Sequence, residues 1–152
     1  GLESTIVDLT RESPRLVRPG GISAIELERV LGEAVLPADG TERAPGTLPS
    51  HYAPRARVVL VSPDELWNAV SATTERIGVL CQEGPPGVLP PHVELIELAR
   101  DAGALAHDLY ASLRALDERG VALIFTTLPP PDGIGAAIAD RLERAAAPRP
   151  QA

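Results

Sequence analysis

From Arg57 onward the chain alternates short, strongly apolar runs with stretches of helical period, and this alternation restricts the fold more than any other feature. Arg57-Val58-Val59-Leu60-Val61, Arg76-Ile77-Gly78-Val79-Leu80-Cys81 and Val121-Ala122-Leu123-Ile124-Phe125-Thr126 are rich in branched apolar residues, as strands buried on both faces must be. Val93-Glu94-Leu95-Ile96-Glu97-Leu98 keeps an approximate period of two, the pattern of a strand near a sheet edge. Ser62-Pro63-Asp64-Glu65 reads as a capping box with proline at the first helical position. It opens a helix to about Ser71 that turns Leu66, Trp67 and Val70 inward. A longer helix spans about Asp101 to Arg119, with Leu105, Leu109, Leu113 and Leu116 toward the core and Gly120 ending it; another runs from about Ile134 to Ala146. Strands alternating with helices predict an open, mostly parallel α/β sheet covered on its faces, and about ninety residues suffice for one such domain.

The segment from Glu33 to Arg55 has no comparable pattern. Pro37, Gly40, Pro45, Gly46, Pro49 and Pro54 interrupt it, so it is expected to be a poorly ordered linker. It carries His51 and Tyr52 side by side. In a lid, Tyr52 would stack on a base or close a pocket while His51 donates to a phosphate or orients a neighbour; alternatively the two rings pin the linker to a domain surface.

The chain opens on Gly1-Leu2-Glu3-Ser4-Thr5-Ile6-Val7-Asp8-Leu9-Thr10, already alternating like a strand, and it contains no methionine. It therefore reads as beginning inside a domain whose earlier part lies upstream. The hydroxyl of Ser4, at a strand end, suits a ligand oxygen; Ser4 and Thr5 equally suit the satisfaction of nearby backbone groups. Arg15-Leu16-Val17-Arg18 gives way to the turn Pro19-Gly20-Gly21, which places Arg18 where a strand meets a loop. Its planar fork of donors fits phosphate or carboxylate and stays charged at any working pH; taken alone, it equally reads as a solvated surface arginine. Ser23-Ala24-Ile25-Glu26 is a capping box for a helix from Ala24 to Leu31, stopped by Gly32 and expected to be packed through Ile25, Leu27, Val30 and Leu31.

A net charge of -7 and a pI near 4.9 argue against a surface that tracks nucleic-acid phosphates. There is no apolar run of membrane-spanning length, no signal-peptide pattern and a single cysteine, which together lead us to expect a cytoplasmic protein without membrane insertion or disulfides. Cys81 reads as an inert buried thiol. Gly133-Ile134-Gly135 lacks the third glycine and the strand-helix setting of a dinucleotide loop and reads as a helix start. His107 and Asp108 read as a solvated pair on the long helix, and His92 has no partner at metal-ligand spacing, so no metal cluster is expected.

Taken in order, Gly1 to Asp8, Arg18-Pro19-Gly20-Gly21-Ile22, Pro45-Gly46 and His51-Tyr52-Ala53-Pro54 resemble the C-terminal half of a threonylcarbamoyl-AMP synthase of the long form. The resemblance implies a remnant of a YrdC-like catalytic domain over residues 1–33, a linker over 34–56, a small Rossmann-like domain over 57–147 and a tail over 148–152. It implies condensation of L-threonine, bicarbonate and ATP to threonylcarbamoyl-AMP and pyrophosphate with magnesium, whose ligands are expected outside this chain. The product would pass to a separate tRNA threonylcarbamoyl transferase, without direct nucleic-acid binding here. Ser4 would contact L-threonine, Arg18 and Tyr52 would contact ATP, and His51 would belong to the linker lid. No residue is expected to act as nucleophile, acid or base. Many members carry a basic residue immediately before the histidine, where this chain has Ser50. Because most of the family's site motifs lie upstream, the isolated chain is expected to be inactive. The competing expectation is a non-catalytic α/β regulatory or protein-interaction module, which would have no use for the Gly1-to-Asp8 segment or for His51-Tyr52.

Overall fold

A computed structural model describes residue 2 and residues 4–41 and 54–148; His51 and Tyr52 lie outside the described residues. The order of elements is β1 (Ile6–Asp8), β2 (Arg15–Arg18), α1 (Ala24–Leu31), β3 (Leu36–Pro37), β4 (Arg57–Leu60), α2 (Pro63–Ser71), β5 (Ile77–Cys81), β6 (Val93–Glu97), α3 (Ala102–Glu118), β7 (Leu123–Thr126) and α4 (Ile134–Ala146).

The four later strands form one all-parallel sheet in the order β4-β7-β5-β6, so the expected α/β class holds and β6 takes the edge its alternation predicted. Side-chain alternation divides the core between the two faces. Val58, Leu80 and Ile124 meet Leu105, Leu109, Leu113 and Leu116 of α3 and Ile138 and Leu142 of α4. Ile77, Val79, Cys81 and Phe125 meet Leu66 and Val70 of α2 on the other face. The chain crosses from β4 over β7's position to β5 and later returns from β6 to β7. Right-handed crossovers in opposite directions put α2 and α3 on opposite faces. Gly78 lets Leu116 lie directly on the sheet, because a Cβ there would meet Leu116 Cδ1 at 2.8 Å.

Asp117 ties the end of α3 to the start of β4. Its carboxylate accepts from the Ala56 N–H at 2.8 Å and from Arg55 Nε at 3.1 Å. Burial would raise its pKa, but the Ala56 and Arg55 N–H groups and the Arg55 guanidinium outweigh that and leave it lowered.

The earlier residues build a smaller sheet in the order β1-β2-β3. β1 and β2 are antiparallel, with Ile6 opposite Arg18, and β3 runs parallel to β2. Leu2, which is fully buried, joins the core under α3 and α4. The Ser23 box forms as expected: the Ser23 hydroxyl accepts from the Glu26 N–H while the Glu26 carboxylate accepts from the Ser23 N–H at 2.9 Å, and Gly32 takes the left-handed C-cap at φ 76°.

Several expectations change. Ser62 is the N-cap of α2 but makes no capping box: its hydroxyl donates to the Glu65 carboxylate at 2.7 Å, and its carbonyl, not its side chain, receives the Glu65 N–H. α1 forms as expected, and within the described residues none of it is buried. Leu9 falls outside β1 and is exposed. The stretch read as strandless carries β3, held by the Leu36 N–H donating to the Pro14 carbonyl and by Arg11 bonding Asp39 and Thr41. These partners are twenty or more residues away, where local pattern has no reach. Among the described residues no helix is long and apolar enough to cross a membrane.

Candidate functional site

The antiparallel pairing of β1 with β2 brings the first two candidate residues together. Arg18 closes β2, and its Nε and Nη2 both donate to the Ser4 carbonyl, at 3.3 and 3.2 Å. The guanidinium is thereby fixed beside the lead-in to β1, with Ser4 exposed next to it. No described residue bonds the Ser4 hydroxyl, whereas Thr5 takes the backbone-satisfying role. Thr5 Oγ1 donates to the Ile22 carbonyl at 3.0 Å and accepts from the Ile22 N–H at 3.1 Å.

That double bond locks the turn after β2 against β1, and Gly20 makes the approach possible. A Cβ on Gly20 would lie 2.4 Å from the Ser4 carbonyl carbon and from the Thr5 nitrogen, so any side chain would push strand and turn apart. Sequence reasoning took Pro19-Gly20-Gly21 only as a turn. The doubled glycine opposite a small-residue strand end was the available sign of a close backbone contact.

At the far end of the same hairpin, Asp8 accepts from the Thr10 hydroxyl at 2.7 Å and from the Thr10 N–H at 2.9 Å. These bonds, helped by Arg11, lower its pKa. This cluster fixes the hairpin's shape, away from the Ser4–Arg18 corner.

Chemically, the corner pairs an exposed hydroxyl with a cation of fixed orientation. It can position a polar substrate and neutralise an anionic one, and among the described residues no base is bonded to the Ser4 hydroxyl. The remaining polar candidates fall away. Cys81 is buried and burial pushes its thiol pKa up. His107 and Asp108 are exposed and 4.0 Å apart, and His92 Nε2 donates to the Thr73 carbonyl at 3.0 Å. Among the described residues no three His, Cys, Asp or Glu side chains converge on a metal position, so they do not fit a magnesium site and no step is routed through one.

A parallel α/β unit preceded by a small strand-and-turn sheet of this kind defines a composite α/β protein. The family model described as threonylcarbamoyl-AMP synthase, C-terminal domain, matches residues 22–147, and the chain belongs to that family. It is 34% identical, over 95% of its length, to the threonylcarbamoyl-AMP synthase of Pyrococcus abyssi and 32% identical, over 98%, to that of Bacillus subtilis. It spans 46% of each of those relatives, about half their length. Among solved structures it resembles the crystal structure of P. abyssi Sua5 complexed with L-threonine, with a TM-score of 0.78 and 31% identity over 96% of this chain and 46% of that one. A variant of the same protein, in which an adjacent histidine and tyrosine are both alanine, matches with a TM-score of 0.74 and 27% identity.

Proposed function

We propose that this chain is the C-terminal part of an L-threonylcarbamoyladenylate synthase, a nucleotidyltransferase that condenses L-threonine, bicarbonate and ATP to threonylcarbamoyl-AMP and pyrophosphate. The observation that carries this reading is the Ser4–Arg18 corner, in a chain whose relatives bear that enzyme's name and one of whose structural neighbours holds L-threonine. In this reading Ser4 contacts L-threonine and Arg18 the ATP phosphates, while Tyr52 meets the nucleotide and His51 helps the linker close over it. The existence of a neighbour altered at a His-Tyr pair supports looking to that motif.

The chemistry needs what the corner offers. Carbamate formation and attack on the α-phosphate bring anions together, so charge neutralisation and positioning do most of the catalysis, and a closed linker would shield the labile carbamate and mixed anhydride from water. Magnesium, in this reading, is held by phosphates and by groups outside the described residues. We place the enzyme in the cytoplasm, handing its product to a separate tRNA transferase.

Release of pyrophosphate from ATP in the presence of L-threonine and bicarbonate tests the reading. The complete protein is expected to turn over and the 152-residue chain alone to give only background. A complete protein that forms no threonylcarbamoyl-AMP, or an isolated chain as fast as the complete one, would overturn it.

A further inference from the structure

The parallel sheet carries a second concavity that the reaction above does not use. β5 and β7 are neighbours, yet the chain leaves them in opposite directions, from β5 to β6 at one edge and from β7 to α4, which packs on β4. Such a divergence beyond the carboxyl ends of parallel strands leaves a crevice, the usual ligand position in open α/β sheets. Here the crevice has a volume of about 640 Å³, within the range of small-molecule sites. Trp67 and Leu66 of α2 form one wall and Leu128 and Pro129 another. Gln82, Glu83 and Arg100 stand at the polar side.

The lining argues against a nucleotide. The loop from β4 into α2 is Val61-Ser62-Pro63, with no glycine, and Pro63 at the first helical position has no N–H to offer a phosphate. Asp64 and Glu65 follow in the first turn, where their charges would repel one. Pro129 and Pro130 remove two more donors after β7.

Among the residues lining the crevice, the full charges are Arg100 and Glu83, of opposite sign and 3.8 Å apart. Both are mostly exposed, at 79% and 83%, so each can exchange the other for a ligand group at little cost. Gln82 holds them in register. Its Nε2 donates to the Ala99 and Arg100 carbonyls at 3.0 and 3.4 Å, tying the loop after β5 to the lead-in of α3.

We propose that this crevice binds a free α-amino acid with a large apolar side chain. Arg100 takes the carboxylate, Glu83 the ammonium group, and Trp67 with Leu66 and Leu128 covers the side chain. The charge complementarity is that of a zwitterion, and the site is independent of the reading given to Ser4 and Arg18. L-Threonine, too small and polar to cover Trp67, binds here more weakly than L-phenylalanine or L-leucine.

Trp67 is the chain's only tryptophan, so its emission reports on this crevice alone. Titration with L-phenylalanine or L-leucine is expected to change that emission saturably. Phenethylamine, which lacks the carboxylate, and 3-phenylpropionate, which lacks the ammonium group, are expected to bind about threefold to fivefold more weakly, the upper scale of one exposed ion pair. Arg100→Ala and Glu83→Gln, both at exposed positions, should weaken L-phenylalanine by a similar factor with circular dichroism unchanged. No saturable change with either amino acid, binding of the truncated analogues as tight as that of L-phenylalanine, full binding by both variants, or preferential binding of AMP would each overturn the proposal.

Discussion

In the parallel unit the helices close their apolar faces against the sheet, so that Leu109 and Leu116 of α3 and Ile138 of α4 have no exposed surface. α1 has an apolar stripe of the same period and better-formed caps, yet Ile25 is 68% exposed and Val30 84%. Periodicity thus specifies that a helix has a face and says nothing about what covers it. The two regions also differ in how they are held. Burial over two layers holds the later one. The earlier one depends on polar ties, from Thr5 to Ile22, Arg18 to Ser4 and Arg11 to Asp39, with Leu2 anchored in its neighbour's core. A region held this way presents polar groups in fixed positions at its surface, which is what a binding corner requires.

This contrast can be broken by substitution. Leu109→Ala should cost about 3 kcal/mol in urea unfolding, the scale of a cavity under a fully buried leucine; a cost below about 1 kcal/mol would mean the later core is not closed. Asp117→Ala should cost about 2 kcal/mol at neutral pH by leaving the Ala56 N–H without its acceptor. The sign with pH follows from a folded pKa held below 3.8. The stabilisation is complete above the unfolded value and is lost as pH falls through the folded one. The gap between parent and variant should therefore narrow in acid, and a gap that widens there would refute the assignment. Val30→Ala should change the stability of this chain by less than about 0.5 kcal/mol, as at other exposed positions. In the complete protein, where the proposed function gives α1 a neighbouring domain, the same substitution should cost more than about 1 kcal/mol. An equally small effect there would leave the stripe without a partner.

Much of the later unit was legible because each element signals itself locally. β4, β5 and β7 are apolar runs, β6 alternates, and Gly120 marks the end of α3 with positive φ. The missed strand and the missed close approach share one origin, contact between residues distant in sequence; the Ser62 box is a local failure. The Ser62 hydroxyl donates to the Glu65 carboxylate just as the Ser23 hydroxyl donates to Glu26, but only Ser23 also accepts the N3 N–H, so the box forms at one and not at the other. β3 was invisible because two residues, one of them proline, carry no strand pattern and depend on pairing with β2. At the candidate site, Arg18 was readable from its position at a strand-turn junction, and Ser4 from its place at a strand end. The close approach that unites them, through Gly20 and Thr5, was not. The crevice beyond β5 and β7 was still less so, since Trp67, Glu83, Arg100 and Leu128 come from four separate stretches that only the sheet order brings together.

The central claim is that the Ser4–Arg18 corner is part of a nucleotide-handling site, and calorimetric titration of ATP into the complete protein carrying Arg18→Ala tests it most directly. Loss of a charge-assisted contact to phosphate should weaken ATP by more than about 1.5 kcal/mol, or at least about tenfold. An ATP affinity equal to that of the parent protein would contradict the account and remove Arg18 from the site.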